Sequence, residues 1–351
     1  MLHHVRLRGV AIPSGEARVI AASQVIRLPL FSVFRFSFFE LRASTFVAIL
    51  LVSCSALPAH SAKLNAPAEA HEGLRLLYFG DADAAVSLFR NIQRDRSAHP
   101  LGYLLEANAL WWKFYCEACE IRWNMIDAWK RSKLPGDDAY FVLADHAIQL
   151  AEAALKTKDS AEMRLYAGMG YALKARLLAL RDERLATARA GVKARENFLR
   201  ALELDPQMAD AYTGLGLYNY FADALSGFAK MLRFFLGIPG GSKKEGTRQL
   251  ELAMRDAELT REEARFYLAK CLRNYDQKYD RAVETMTPLA EQFPRNPLYQ
   301  LLLGDFYAKL RRNDRAAASL RSAQQAAADA TPCAARLQQV ARAALSALRL
   351  P

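Results

Sequence analysis

This 351-residue chain reads as an all-α protein, a right-handed α-solenoid of helix-turn-helix repeats, on three observations. Apolar residues recur with a helical period from Ala66 onward, broken at Pro100, Pro135-Gly136, Pro206, residues 237–241, residues 294–297 and Thr331-Pro332. No stretch alternates apolar and polar residues as a half-buried strand does. Residues 296–329 also lie over the 34 residues before them so that Ala282 falls on Ala316, and 34 residues is the length of one helix hairpin.

The first 62 residues stand apart as a signal sequence and disordered N-terminal extension, followed by a solenoid over residues 63–351. The run TFVAILLV at 45–52, with Arg35 and Arg42 before it and small residues after it, is too short to span a bilayer. It has the form of the apolar region of a secretory signal. Ala59-His60-Ser61 then supplies a cleavage site that leaves a chain starting at Ala62. The alternative is Leu51-Val52-Ser53-Cys54, which resembles the lipobox of bacterial lipoproteins and would make Cys54 a lipidated N-terminus. Either reading predicts an exported protein, periplasmic or envelope-associated.

Composition excludes disorder as the default state, since 52% of residues are hydrophobic and 24% charged. The net charge is +11. Six arginines against Glu16 and Glu40 give residues 1–62 a net +4, so the remainder carries 11 − 4 = +7. That excess is spread over helices without a nucleic-acid-binding motif, and predicts a solvated surface with no nucleic-acid partner.

Along the array, Gly73, Gly80, Ala85 and Phe89 supply a crossing glycine, a turn, a small residue and an aromatic. Ala194, Phe198, Ala201 and Pro206 repeat the second half of that order, and the twelve residues from Ala194 to Pro206 equal those from Ala282 to Pro294. Leu303, Gly304, Tyr307, Ala316, Leu320 and Ala323 give the fullest copy. Helices approach closely only where Gly or Ala faces a neighbour, with large residues filling the space on either side. Proline after the second helix stops it and turns the chain. At the end, Thr331 and Pro332 open a capping helix over 332–350. Its stripe is Leu337, Val340, Ala344, Leu345 and Leu348, with Arg336, Arg342 and Arg349 outside.

These residues resemble the tetratricopeptide (TPR) repeat consensus, of an exported bacterial type. The consensus Trp of the first helix is absent, replaced by Tyr212 in one repeat and Gln300 in another. The resemblance implies a non-catalytic scaffold for protein–protein interaction, with a concave surface that holds an extended peptide or a neighbouring subunit.

Two segments depart from the period. Residues 101–156 contain all four tryptophans, Trp111, Trp112, Trp123 and Trp129, which either pack a non-standard helix pair or line a groove for an apolar ligand. From Phe198 to Leu250, both at the second-helix aromatic position, there are 52 residues where 34 are expected, an insertion of 18 centred on about 222–241. There Phe221, Leu225, Phe228, Leu232 and Phe235 form a helical apolar stripe, followed by glycines and by Lys243 and Lys244. Such a helix folds over the solenoid core, or meets a partner or a membrane surface peripherally. The candidate partner-binding residues are therefore Trp111, Trp112, Trp123, Trp129, Phe228, Lys243 and Lys244. The alternative function is a periplasmic lipid- or small-ligand-binding component that uses the same segments.

Candidate chemistry is sparse. His71, His99 and His146 show no metal-ligand spacing, and Asp137-Asp138 and Glu262-Glu263 read as helix-start carboxylates. Cys116 and Cys119 have the C-x-x-C spacing without a second pair, a following His or a βαβ setting, and predict a local disulfide or two buried thiols. No catalytic residue, metal site or cofactor is expected.

Overall fold

Each repeat begins where local sequence stops one helix and caps the next. The protein is described by a computed structural model over residues 64–129, 132–328 and 334–348; the side chains of Phe228, Leu232, Phe235 and Ala328 are also outside the described set. The signal, cleavage and lipidation expectations for residues 1–62, including Cys54, lie outside the described residues.

Among the described residues fourteen helices form six antiparallel pairs, with one inserted helix and one terminal helix. The pairs are α1 (Ala68–Phe79) with α2 (Ala82–Asp95), α3 (Leu101–Glu117) with α4 (Asp137–Thr157), and α5 (Ala161–Leu180) with α6 (Arg184–Leu204). Next come α7 (Ala211–Ala224) with α9 (Lys243–Asp256), α10 (Arg261–Asn274) with α11 (Tyr279–Gln292), and α12 (Pro297–Lys309) with α13 (Asn313–Ala328). The inserted helix is α8 (Gly227–Phe235) and the terminal one α14 (Ala334–Ala347). Side chains cap the starts: Asp81 accepts from the Ala84 amide at 3.0 Å, Ser160 from Met163 at 3.4 Å, Ser242 from Glu245 at 3.3 Å and Asn296 from Leu298 at 3.0 Å. These satisfy amides that a helix start leaves without intrahelical partners. Gly80 ends α1 at φ +97° and closes the first turn.

Pairs meet at the predicted small residues. A Cβ at Gly73 would strike the Phe89 ring, one at Gly216 would lie 2.8 Å from Leu250 and one at Gly304 2.6 Å from Leu320. Gly73 to Phe89 and Gly304 to Leu320 are each 16 residues, and Gly216 to Leu250 is 34, longer by the insertion's 18. Phe198 is held between Gly168 of α5 and Gly214 of α7, so its ring locks two successive repeats. Ala85, Ala194, Ala201, Ala282, Ala316 and Ala323 are all buried at these seams.

The inner helices are buried on nearly every face. α3 buries Leu101, Leu104, Leu105, Ala107, Trp111, Trp112, Phe114 and Tyr115, and α10 and α12 are comparably enclosed. The first pair also packs against a late one: the side-chain amide of Asn296 donates to the Tyr78 carbonyl at 2.9 Å, and the Tyr78 and Phe79 rings meet Phe293 at 5.8 and 5.1 Å.

Three expectations need correction. Residues 119–128 are not helical: β1 (Cys119–Arg122) and β2 (Met125–Ala128) pair antiparallel as a two-residue hairpin. Trp123 at φ 49° and Asn124 at φ 58° make its turn, the left-handed pair that matches strand twist. The insertion's stripe does not run along one helix either. Leu225 is extended at ψ 149°, and Ser226 starts α8 by accepting from the Ala229 amide at 3.4 Å, which separates Phe221 and Leu225 from the three later positions. In the terminal helix Leu337 and Val340 are buried as expected, but Arg336 is not on an outer face. Its Nε donates to the Cys119 carbonyl at 2.7 Å, because α14 lies against the hairpin.

Candidate interaction surfaces

The concave side of the array is filled by its own inner helices. Trp111 Nε1 of α3 donates to the Tyr267 hydroxyl of α10 at 2.8 Å, and Trp112 packs edge-on to Phe266 at 4.7 Å. Arg176 of α5 sits among them, paired with Glu263 and donating to Asn108 Oδ1 at 3.2 Å, its guanidinium 5.5 Å from the Trp111 ring. Burial works against the Arg176 cation, and the groups around it, Glu263 first and then Tyr267 and Tyr140, together outweigh burial and raise its pKa. A space of about 50 Å³ remains beside Asn108, Arg176, Thr213, Thr260 and Glu263. At ~10–15 Å³ each, that holds a few water molecules. Trp111 and Trp112 are thus core residues that close the groove. Glu263, a helix-start carboxylate by sequence, is buried as the partner of Arg176, and α3 brings Asn108 against it.

Asp210 closes the other side of this cluster. Its carboxylate accepts from the amides of Glu258, Leu259 and Thr260 at 2.8–2.9 Å and so ties the turn before α10 to the start of α7. Burial raises its pKa, with those donors pulling it down. Asp137, also a helix-start carboxylate by sequence, is buried with Arg181 at 2.5 and 2.7 Å.

The hairpin is an unforeseen element, and three of its contacts fix it. Asp127 accepts from the Tyr115 hydroxyl at 2.8 Å, from Lys270 at 2.5 Å and from Asn274 at 2.8 Å. The Lys270 ammonium lies 4.4 Å from the Tyr115 ring centre. Arg273 donates to the Asn124 carbonyl at 2.9 Å while holding Asp305 at 2.6 and 2.9 Å. Held this way, the tip presents Trp123, 73% exposed, edge-on to half-buried Trp129 at 4.9 Å, with Arg122 over both rings. The only sequence signal was Trp-Asn between residues 119–122 and 125–128; without the usual Gly it falls short of a hairpin motif.

The predicted thiol pair does not form. Cys119 is a free buried thiol that burial pushes up to about 12, and Cys271 is likewise free, buried and raised. Cys116 is disulfide-bonded to a partner outside the described residues. Cys116 ends a helix and Cys119 begins a strand that leaves it for α14, so spacing alone did not set their partnership. No group of His, Cys, Asp or Glu suited to a metal occurs among the described residues.

The insertion forms the second exposed surface. Phe221, Leu225, Met231, Phe234 and Leu236 are exposed, while Phe228 has no described side chain. Lys230 pairs with Asp223 at 2.8 Å. Lys243 pairs with Asp276 at 2.9 Å over the Tyr220 ring, and Lys244 is exposed. Gly241 fits directly against the Asn219 backbone, returning the chain to α7.

Six antiparallel helix pairs, three of them with a first-helix glycine facing a large second-helix residue at recurrent spacing, are the decisive observation. The architecture is tetratricopeptide-like. No protein-family model and no curated protein matches the chain. Among solved structures, a thermophilic TPR protein of Thermus thermophilus aligns at 14% identity and TM-score 0.39, over 69% of this chain and 97% of that one. The C-terminal part of a TPR repeat-containing protein of Cytophaga hutchinsonii aligns at 14% and TM-score 0.34, over 74% and 79%. The TPR-like reading of this chain rests on its own seams.

Proposed function

We propose that the protein is a non-catalytic TPR-like scaffold of the bacterial cell envelope that receives a protein partner on the β1–β2 hairpin tip. Contacts between α3 and α10 crowd the concave side on which a peptide was expected to lie, which supports a partner surface at an edge. The observation that carries the reading is Trp123: a bulky residue in the left-handed region is costly, by about 1–3 kcal/mol, and such strain concentrates at binding sites. Here it fixes a solvent-facing indole, and tryptophans anchor protein interfaces. A photo-crosslinking residue at position 123, introduced in the native host, should yield one defined adduct. Trp123→Ala should cut partner recovery at least about tenfold, the scale of an interface anchor. A diffuse adduct pattern, or unchanged recovery, overturns the assignment.

Export is proposed on the run at 45–52 and the small residues after it. Intact-mass measurement on protein from the native envelope should show a chain starting at Ala62, or lipid on Cys54. An uncleaved, unmodified chain overturns both.

A further inference from the structure

We propose that α8 and the loop after it form an interfacial element that lies in the plane of an anionic lipid bilayer. The helix has nine residues, about 13 Å at 1.5 Å per residue, too short to cross a membrane. No helix among the described residues is long and apolar enough to cross.

Its described large side chains, Met231 and Phe234, point outward, as does Leu236 just after it. Phe234 is 79% exposed, Met231 52% and Leu236 53%, and exposed Phe221 and Leu225 continue the patch at the end of α7. A contiguous apolar patch on a folded monomer marks an interaction surface. The segment is also set off from the solenoid. A Cβ at Gly227 or at Gly237 would meet nothing within 4 Å, so both ends of the helix stand in open space. Beyond them the chain is fixed by the Tyr218 hydroxyl, which donates to the Pro239 carbonyl at 2.8 Å, and by Asp223, which accepts from the Lys243 amide at 2.9 Å.

Charge selects the occupant. Between Ser226 and Lys244 there are Lys230, Arg233, Lys243 and Lys244 and no acidic residue. Lys230 and Lys243 are neutralised by Asp223 and Asp276, whereas among the described residues Arg233 and Lys244 have no carboxylate partner. Met231 and Phe234, three apart, lie on adjoining turns, and Arg233, one residue before Phe234, carries the charge of this helix that no described carboxylate neutralises while its guanidinium donates to the Pro239 carbonyl at 3.1 Å. Exposed apolar side chains with an excess of positive charge around them match an acyl layer topped by anionic headgroups.

The test is co-sedimentation of the full chain with phosphatidylcholine vesicles and with vesicles about one-third phosphatidylglycerol, an anionic surface of the kind that attracts basic segments. The wild type and a Met231→Asp, Phe234→Asp double variant share the same residues 1–63, so any contribution of those residues cancels. Expected are preferential, salt-sensitive binding to the anionic vesicles and a roughly tenfold or greater loss in the double variant at unchanged thermal midpoint. Lys244→Glu should weaken anionic binding and leave folding untouched. Equal binding to both vesicle types overturns the proposal, as does a double variant that binds like the wild type. A wild type that is dimeric in solution, and that the double variant makes monomeric, overturns it in favour of an interface between copies.

Discussion

A methyl group at Gly246 would sit 2.6 Å from the Gly216 carbonyl oxygen and 2.7 Å from the Tyr220 nitrogen, both backbone atoms that cannot turn aside. Gly191 in α6 faces only the Tyr218 ring at 3.7 Å, an ordinary contact. The two alanine substitutions should therefore have opposite signs. Gly246→Ala is expected to destabilise by about 1–3 kcal/mol through overpacking, and Gly191→Ala to stabilise by about 0.5–1 kcal/mol through helix propensity. Urea denaturation of both variants checks the pair, and a stabilised Gly246→Ala would mean that α7 and α9 are not in contact there. The thiols make a second test. Burial holds Cys119 up to about 12 and raises Cys271 as well, so neither offers thiolate near neutral pH. Peptide mapping after iodoacetamide at pH 8 should find both unmodified in the native protein and alkylated once it is unfolded.

Two elements interrupt the array, and in each one carboxylate gathers several of the ties to its neighbours. Asp127 ties the hairpin to α3 and α10 through Tyr115, Lys270 and Asn274. Asp127→Asn should cost about 1–3 kcal/mol, the penalty for a lost charge-assisted bond in a largely buried site. It should also speed amide exchange over residues 119–128 while the outer helices stay protected; unchanged exchange would show that the clasp does not hold the strands. Asp223 does the same for the insertion, bonded to Lys230 and to the Lys243 amide, and the Lys230 hydrogen bond lowers its pKa. Because the folded value lies below the unfolded one, this contribution is present above about pH 4 and lost as pH falls through the lowered value. Exchange across residues 226–243, corrected for intrinsic rates, should rise on acidification before the rest of the chain loosens. Asp223→Asn should produce the same loosening at neutral pH.

At the scale of the molecule, the cross-groove contacts change how the array unfolds. An open solenoid touches only nearest neighbours and can lose repeats singly. Here Asn108, Trp111 and Trp112 of α3 bond or pack with α10, and Tyr78 and Phe79 of α1 pack with Phe293, joining pairs far apart in sequence. Unfolding should be a single cooperative transition for residues 64–348, with far-ultraviolet dichroism and tryptophan fluorescence coincident in urea. Separate transitions would show that α3 does not couple the two halves. The Arg176–Glu263 pair lies at that junction. Arg176→Met alone should cost about 3–5 kcal/mol by stranding a buried carboxylate, and adding Glu263→Gln should restore much of it.

The periodic part of the fold was legible because its determinants are local: the 3.6 period, the proline and glycine breaks and small residues at fixed distance from large ones. These predict Gly73, Gly216 and Gly304 at helix crossings, the position of the insertion and the terminal helix. What sequence could not carry was any property set by residues brought together from afar. Glu263 has the local signature of a helix-start acid and becomes a buried partner because α3 crosses in front of α10. The tryptophans of 101–156 share one segment, but α3 buries two in the groove while a left-handed turn at 123–124 carries a third to the surface. Cys116 and Cys119 share a spacing but not a bond, since a helix end and a strand start send them to different neighbours. Helix period and packing seams are written within one or two repeats; which surface stays open is decided only when the array closes on itself.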